Sequence, residues 1–171
     1  MSLIILIGAS GSGKTTIARA VAGRGRPDLD VFYFDNIGVP SPDQMIADYG
    51  SGENWQRAKT VEWMAALAPV NRAGRKVIFE GQTRLSFLAE GAAAAYPCPY
   101  HPILIDCDNE TRSQRLAARG QPELANPDMR NWAVFLRQDA RDKGCEILDT
   151  SQRPLEDCVG HVLALSQRMQ I

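Results

Sequence analysis

The sequence has little of what several function classes require. Its 19 basic and 20 acidic residues leave a formal net charge of −1, so it carries no electrostatic footprint for nucleic acid. No apolar run approaches the length needed to cross a bilayer. The first residues, Met1–Gly8, lack the basic start and cleavage site of a signal peptide, and their apolar stretch is too short for one. The expectation is therefore a cytoplasmic protein with no membrane partner. There are only four cysteines (Cys98, Cys107, Cys145 and Cys158), none in a C-x-x-C pair. That argues against a disulfide scaffold and a thiolate metal site, and leaves free thiols. The two histidines, His101 and His161, lie far from any matching ligand set. Internal repeats, low-complexity tracts and linkers are missing too. What remains is 171 residues at 44% hydrophobic, which suits a single domain over 1–171 with a substantial core.

Strand and helix patterns alternate along that chain. Residues 3–7 form a short continuous apolar run that ends at a Gly-rich turn, the pattern of a strand buried on both faces. A helix is predicted over 14–22 and a second strand over 31–35. Mostly helix follows between 42 and 73, interrupted at Pro69. A third strand is predicted over 76–80, a helix over 84–95, a fourth strand over 101–106 and a helix over 109–119. A Gly/Pro-punctuated loop, Gly120–Asp128, separates it from a helix over 129–143. A short fifth strand, 146–148, precedes a final amphipathic helix marked by Leu155, Cys158, Val159, Val162 and Leu163. Such alternation predicts an α/β fold: a mostly parallel sheet with right-handed crossovers, covered by helices on both faces. Ligands of such sheets sit beyond the carboxyl ends of the strands.

Gly8-Ala9-Ser10-Gly11-Ser12-Gly13-Lys14-Thr15 fits G-x-x-x-x-G-K-[ST] without a mismatch. The glycines let the backbone curl so that successive N–H groups and the next helix N-terminus face phosphate oxygens. Lys14 supplies a point charge to the β- and γ-phosphates, and the Thr15 hydroxyl is a ligand for Mg²⁺. Gly8, Ser10, Gly11, Ser12, Gly13, Lys14, Thr15 and Thr16 are thus the expected nucleotide-binding residues, for ATP or GTP. Asp35-Asn36-Ile37-Gly38 matches D-x-x-G, but no N-K-x-D guanine box follows, so the match is read as accidental. No L-S-G-G-Q segment is present, and the chain is short for a typical AAA module with its helical lid domain.

On this P-loop and order of elements, the chain resembles the small P-loop kinases: the nucleoside monophosphate, shikimate and gluconate kinase families. The resemblance implies a three-layer α/β/α P-loop NTPase fold with a five-stranded parallel sheet of order 2-3-1-4-5. Glu80-Gly81-Gln82-Thr83-Arg84 is similar to the D-G-x-P-R segment of adenylate-kinase-like enzymes, with Glu for Asp and Thr for Pro. It implies that Glu80 orders Mg²⁺ or the attacking group, and that Arg84 contacts the transferring phosphate. Asp35 is similar to the shikimate-kinase Asp that binds the acceptor hydroxyl and takes its proton; a helix or turn cap is the alternative. Arg112, Arg115 and Arg119 fall along one helical face. Arg115 and Arg119 best match the family's lid arginines, with Arg130 a further candidate and the short lid expected over 119–130. Asp149-Thr150-Ser151-Gln152-Arg153 resembles the loop that borders adenine, which brings in Arg153; Thr150 or Ser151 could equally cap the last helix.

The resulting expectation is an ATP- and Mg²⁺-dependent phosphotransferase, monomeric or homodimeric. Its small-molecule acceptor would bind in the region 36–75. That region has only Arg57, Lys59, Arg72 and Arg75 as basic residues, which favours a hydroxylated metabolite over a nucleoside monophosphate. Trp55 lies in the same region beside Arg57, whereas Trp63 and Trp132 read as packing residues. The alternatives are a nucleotide-binding regulatory protein and a slow NTPase that needs no acceptor.

Overall fold

The computed structural model describes residues 2–168. Five strands, β1 (Ser2–Ile7), β2 (Leu29–Tyr33), β3 (Lys76–Gly81), β4 (His101–Asp106) and β5 (Glu146–Asp149), form one parallel sheet in the order β2-β3-β1-β4-β5. The helices are α1 (Lys14–Ala22), α2 (Pro42–Tyr49), α3 (Gly52–Arg72), α4 (Leu85–Ala94), α5 (Asn109–Ala118), α6 (Pro127–Asp142) and α7 (Leu155–Arg168).

β1 shows why the sheet is sandwiched. Every residue of it is buried. Strand alternation sends Leu3, Ile5 and Ile7 to one face, where they join Met64 and Leu67 of α3, Leu88 of α4 and Leu136 of α6. Ile4 and Leu6 go to the other face, with Ile17 and Val21 of α1 and Val159 and Val162 of α7. Burying each such side chain stabilises the fold by about 1.5–3 kcal/mol, and an apolar run without polar alternation achieves this on both faces at once.

Two local expectations are corrected. The second strand covers 29–33 instead of 31–35, and Phe34 and Asp35 belong to a 3₁₀ turn, Phe34–Ile37. Pairing of β2 with β3 ends at Tyr33↔Glu80. Phe34 then turns into the core (3% exposed), against Gly81, where a Cβ would come within 2.6 Å of the Phe34 Cβ. Pro69 does not end the helix before it; α3 runs on to Arg72. Pro69 lies exposed in the last turn, where few backbone bonds remain to be lost, and its own carbonyl still accepts from Ala73 N at 3.0 Å. Buried Leu67, Ala68 and Asn71 hold that turn to the core. The true break comes earlier, at Gly50 (φ +80) and Ser51, whose hydroxyl caps α3 by accepting from Asn54 N at 3.1 Å.

Candidate functional site

The P-loop leaves β1 at Gly8, where the chain passes so close to β4 that a Cβ would sit 2.4 Å from the Ile105 carbonyl oxygen. Gly11 and Gly13 take φ of +80 and +100, in the left-handed region that suits glycine. The loop's carbonyls are held from outside. Buried Arg112, 1% exposed, donates through Nη1 to Ser10 O (3.0 Å) and through Nη2 to Cys107 O (3.1 Å) and Asp106 Oδ1 (3.3 Å). Arg137 Nε donates to the other Asp106 oxygen at 2.5 Å. Thr150 Oγ1 donates to Ser12 O at 2.8 Å and accepts from Arg115 Nη1 at 2.8 Å, while Arg115 Nη2 reaches Thr150 O at 2.8 Å. With its carbonyls tied back, the loop's N–H groups are left for an anion at the start of α1.

On one side of Lys14 opens a cavity of about 440 Å³. Its floor is P-loop and α1 (Gly11, Gly13, Thr15, Thr16), and three arginines, Arg115, Arg119 and Arg153, border it. Arg119 and Arg153 are exposed, and neither side chain makes a hydrogen bond among the described residues. The segment expected as a lid is a short connection between α5 and α6 with one 3₁₀ turn, Pro122–Leu124. Arg130 lines neither this cavity nor the one described next.

Thr15, at the start of α1, donates through Oγ1 to Oε2 of Glu80, at the end of β3, at 3.1 Å. Parallel pairing of β1 with β3 brings the two together, since Leu6 lies opposite Glu80. Glu80 is 4% exposed. Burial pushes its carboxyl above the ordinary range, Asp35 pushes it further, and Lys14 and the Thr15 hydroxyl pull the other way. Burial likewise holds the Lys14 ammonium below its usual value, although Glu80 and Asp35 favour its charge; Arg119 and Arg112 add repulsion. Each partner thus loses more from burial than the other restores.

The second cavity, about 480 Å³, lies on the other side of Lys14, which lines both. Its inner wall carries Ser10, Glu80, Gly81 and Gln82; its outer wall comes from the 3₁₀ turn (Asp35), α2 (Met45) and α3 (Trp55, Gln56). Gln56 Nε2 donates to Gln82 O at 2.7 Å, and Ser10 Oγ to Gln82 Oε1 at 3.4 Å. Trp55 is buried edge-on against Phe34, with ring centroids 5.7 Å apart. Trp63 packs on Phe79 and donates its indole N–H to Phe34 O at 3.2 Å.

Arg84 lines neither cavity. Its Nη2 donates to Glu53 Oε2 at 2.8 Å, and its guanidinium lies 4.9–5.6 Å from the ring centroids of Phe87, Trp132 and Phe135. The site thus brings together Lys14, Thr15, Asp35 and Glu80, and sets Arg115, Arg119 and Arg153 across the first cavity. Sequence reasoning names Arg112 and Thr150 but not their bracing of the loop, and it misses Asp106 and the amides of Gln56 and Gln82 as site residues. Asp106 carried a signal, as a carboxylate at a strand end like Asp35. Among the described residues, no three His, Cys, Asp or Glu side chains group as a metal centre, and all four cysteines are free. No helix of the described residues is long and apolar enough to cross a membrane.

No curated protein sequence matches the chain. Several solved structures share its fold. A sugar kinase from Janibacter sp. HTCC2649, in an unliganded structure, is 20% identical with a TM-score of 0.68, covering 99% of this chain and 96% of that one. A gluconokinase from Sinorhizobium meliloti 1021 is 17% identical with a TM-score of 0.67, covering 99% and 93%. Shikimate kinase from Acinetobacter baumannii, in complex with shikimate, is 15% identical with a TM-score of 0.63, covering 99% and 96%. The architecture is therefore that of the small P-loop kinases, in three layers with sheet order 2-3-1-4-5. A family described as "AAA domain" matches residues 4–149, from β1 to the end of β5. The shortness that argued against a typical AAA module is thus no bar to the family, although the described residues form no separate helical lid domain. By this match the chain belongs to the AAA domain family.

Proposed function

We propose that this chain is an ATP-dependent phosphotransferase that moves the γ-phosphate of Mg²⁺-bound ATP to a hydroxyl group of a small molecule. One observation carries the reading: Lys14 lines both cavities, so a donor in the first and an acceptor in the second meet at its ammonium. The P-loop N–H groups, Lys14, Arg115, Arg119 and Arg153 bind the donor. Thr15 and Glu80 offer adjacent oxygen donors that would hold Mg²⁺, which would supply charge neutralisation at the triphosphate. Asp35 or Glu80 accepts the hydroxyl proton as the acceptor oxygen bonds to the γ-phosphorus and the bond from that phosphorus to ADP breaks. Arg119, exposed at the cavity rim, closes over the transferring group with the connection 119–130. Arg84 could contact the phosphate only by giving up Glu53 and its aromatic neighbours, so its part is to anchor the start of α4. The region 36–75 receives the acceptor, and 1–171 acts as one domain.

Incubation with γ-labelled ATP and a panel of hydroxylated metabolites tests this. An acceptor should gain label with the native chain and not with Lys14→Ala. If none gains label while ATP still raises the melting temperature, and Lys14→Ala abolishes that rise, the transferase reading fails.

A second reading, slow ATP hydrolysis, is favoured by the buried carboxylate of Glu80, which can take a proton from water as well as from a hydroxyl. It predicts phosphate release that no acceptor accelerates.

A further inference from the structure

The second cavity has a charge balance that narrows what it can hold. We infer that the phosphoryl acceptor is an uncharged or positively charged hydroxyl compound with an apolar face, and not a carboxylate or a phosphate ester. This rests on the transferase reading above.

The titratable residues that line the cavity are Lys14, Asp35 and Glu80. Lys14 is the single cationic side chain among them, and both it and the Mg²⁺ proposed at Thr15 and Glu80 would be engaged by the triphosphate. An anionic acceptor would bring a further negative charge beside two carboxylates and the γ-phosphate, with no cation of its own.

The basic residues of the acceptor region, and Arg84 beside it, are all committed elsewhere, and Arg19, whose charge reaches Glu80, does not line the cavity. Arg57 Nε donates to Glu90 at 2.7 Å, and Lys59 Nζ to Glu62 at 2.7 Å. Arg72 donates to the carbonyls of Ala95 and Pro97, both at 3.2 Å, and Arg75 pairs with Asp30 at 2.6 Å. Arg84, at the foot of the same wall, is held by Glu53 and three rings. None of the five lines the cavity.

What does line it suits a neutral or cationic molecule. Phe34, Trp55, Met45 and Val39 form an apolar side, and Val39 is 55% exposed, so a bound molecule would cover it. Gln56 and Gln82 supply amide groups for hydroxyl or amine recognition, and Asp35 and Glu80 can accept from a hydroxyl or pair with an ammonium. The volume of about 480 Å³ accommodates a molecule larger than a single small sugar ring. The reaction balances with such an acceptor. Its oxygen bonds to the γ-phosphorus, ADP leaves with the bridging oxygen, and the hydroxyl proton passes to Asp35 or Glu80 and then to water.

The test uses pairs of related compounds that differ in their charge-bearing group: nucleosides against their 5′-monophosphates, glucose and glucosamine against gluconate, and amino alcohols against hydroxy acids. Binding is measured by calorimetric titration with a non-transferable ATP analogue present, and transfer by label from γ-labelled ATP. The neutral or cationic member of at least one pair should bind and accept phosphate at least tenfold better than its anionic counterpart. Met45→Lys, on the outer wall, should cut that preference at least tenfold. Preferential transfer to anionic members overturns the inference and leaves the transferase reading standing. Preferential binding of neutral or cationic members without transfer supports the inference about the cavity and overturns the transferase reading. Absence of both binding and transfer across the panel overturns both.

Discussion

The two cavities that meet at Lys14 are built in opposite ways. On the donor side, P-loop carbonyls are tied to Arg112, Arg115 and Thr150, residues far along the chain, and three arginines border the opening. On the acceptor side, carboxylates outnumber cations, and part of the outer wall is α2, which contributes no buried residue. That helix lies between Gly38 and Gly50, both at positive φ. One half is preorganised for a ligand of fixed shape and high charge. The other half keeps a rigid inner wall on β3 and a lightly held outer one, which can differ in sequence or position without disturbing the core. Selectivity is therefore expected to reside in α2 and the start of α3, and affinity for the nucleotide in the braced loop.

The sharpest way to break this comparison is at the shared residue. Lys14→Ala should lower phosphoryl transfer by about 10³-fold and abolish the rise in melting temperature caused by ATP, because both halves lose the charge between them. Retention of transfer within tenfold would detach the donor cavity from the chemistry.

Arg112→Ala probes the bracing of the donor side. It leaves the Ser10 carbonyl without that donor and Asp106 with Arg137 alone, and should cost about 1–3 kcal/mol in urea unfolding, since the carboxylate keeps one partner. A cost below about 1 kcal/mol would mean that the loop is held without it.

Glu80→Gln separates catalysis from stability. Transfer should fall by about 10²-fold as one of the two proton acceptors proposed, and a ligand proposed for Mg²⁺, is lost. Burial raises the Glu80 carboxyl, so its folded value exceeds its unfolded one. The stability it contributes is then full below the unfolded value and lost as pH rises through the raised folded value. At neutral pH the Gln variant should consequently melt above the native protein, and the gap should close below about pH 4.5, the ordinary Glu value. A lower melting temperature for the variant at neutral pH would contradict the direction.

Smaller effects distinguish the rims. Arg119→Ala should reduce transfer about tenfold with no change in melting temperature, since the side chain is exposed and makes no hydrogen bond among the described residues. Met45→Ala should cost less than about 1 kcal/mol of stability, because α2 buries nothing fully, and should raise KM for the acceptor but not for ATP. A raised KM for ATP in Met45→Ala would place α2 in the wrong half.

The phosphate loop of the donor half was readable because its residues are contiguous. Gly8–Thr15 is a local motif, and its glycines state their own reason: two need positive φ and one needs a missing Cβ. The order of elements was readable from apolar runs and their periods, and β1 shows why, since every residue of it is buried. Boundaries were less legible where packing decides them. Phe34 looks like strand by composition, and only the space at Gly81 draws it out of β2. Pro69 looks like a helix end, and only the buried Leu67, Ala68 and Asn71 carry α3 past it.

Side-chain partners were the least legible. The arginine trio 112, 115 and 119 shares a helical face, yet its members face three situations: one buried under the loop, one spanning to Thr150, one free at the rim. The cations of the region 36–75 could be counted, but where each is spent could not. Only Lys59 pairs within its own helix, with Glu62; the partners of the other three, Glu90, Ala95, Pro97 and Asp30, lie elsewhere in the chain.

By itself, the sequence determined the phosphate cradle and the parallel sheet that presents it, because both follow from backbone conformation and from the period of apolar residues. The tertiary structure alone decided which charges face the acceptor. Electrostatics acts through space, and strands β1, β2 and β3 bring Lys14, Asp35 and Glu80 together while Arg57, Lys59, Arg72 and Arg75 find partners away from the cavity.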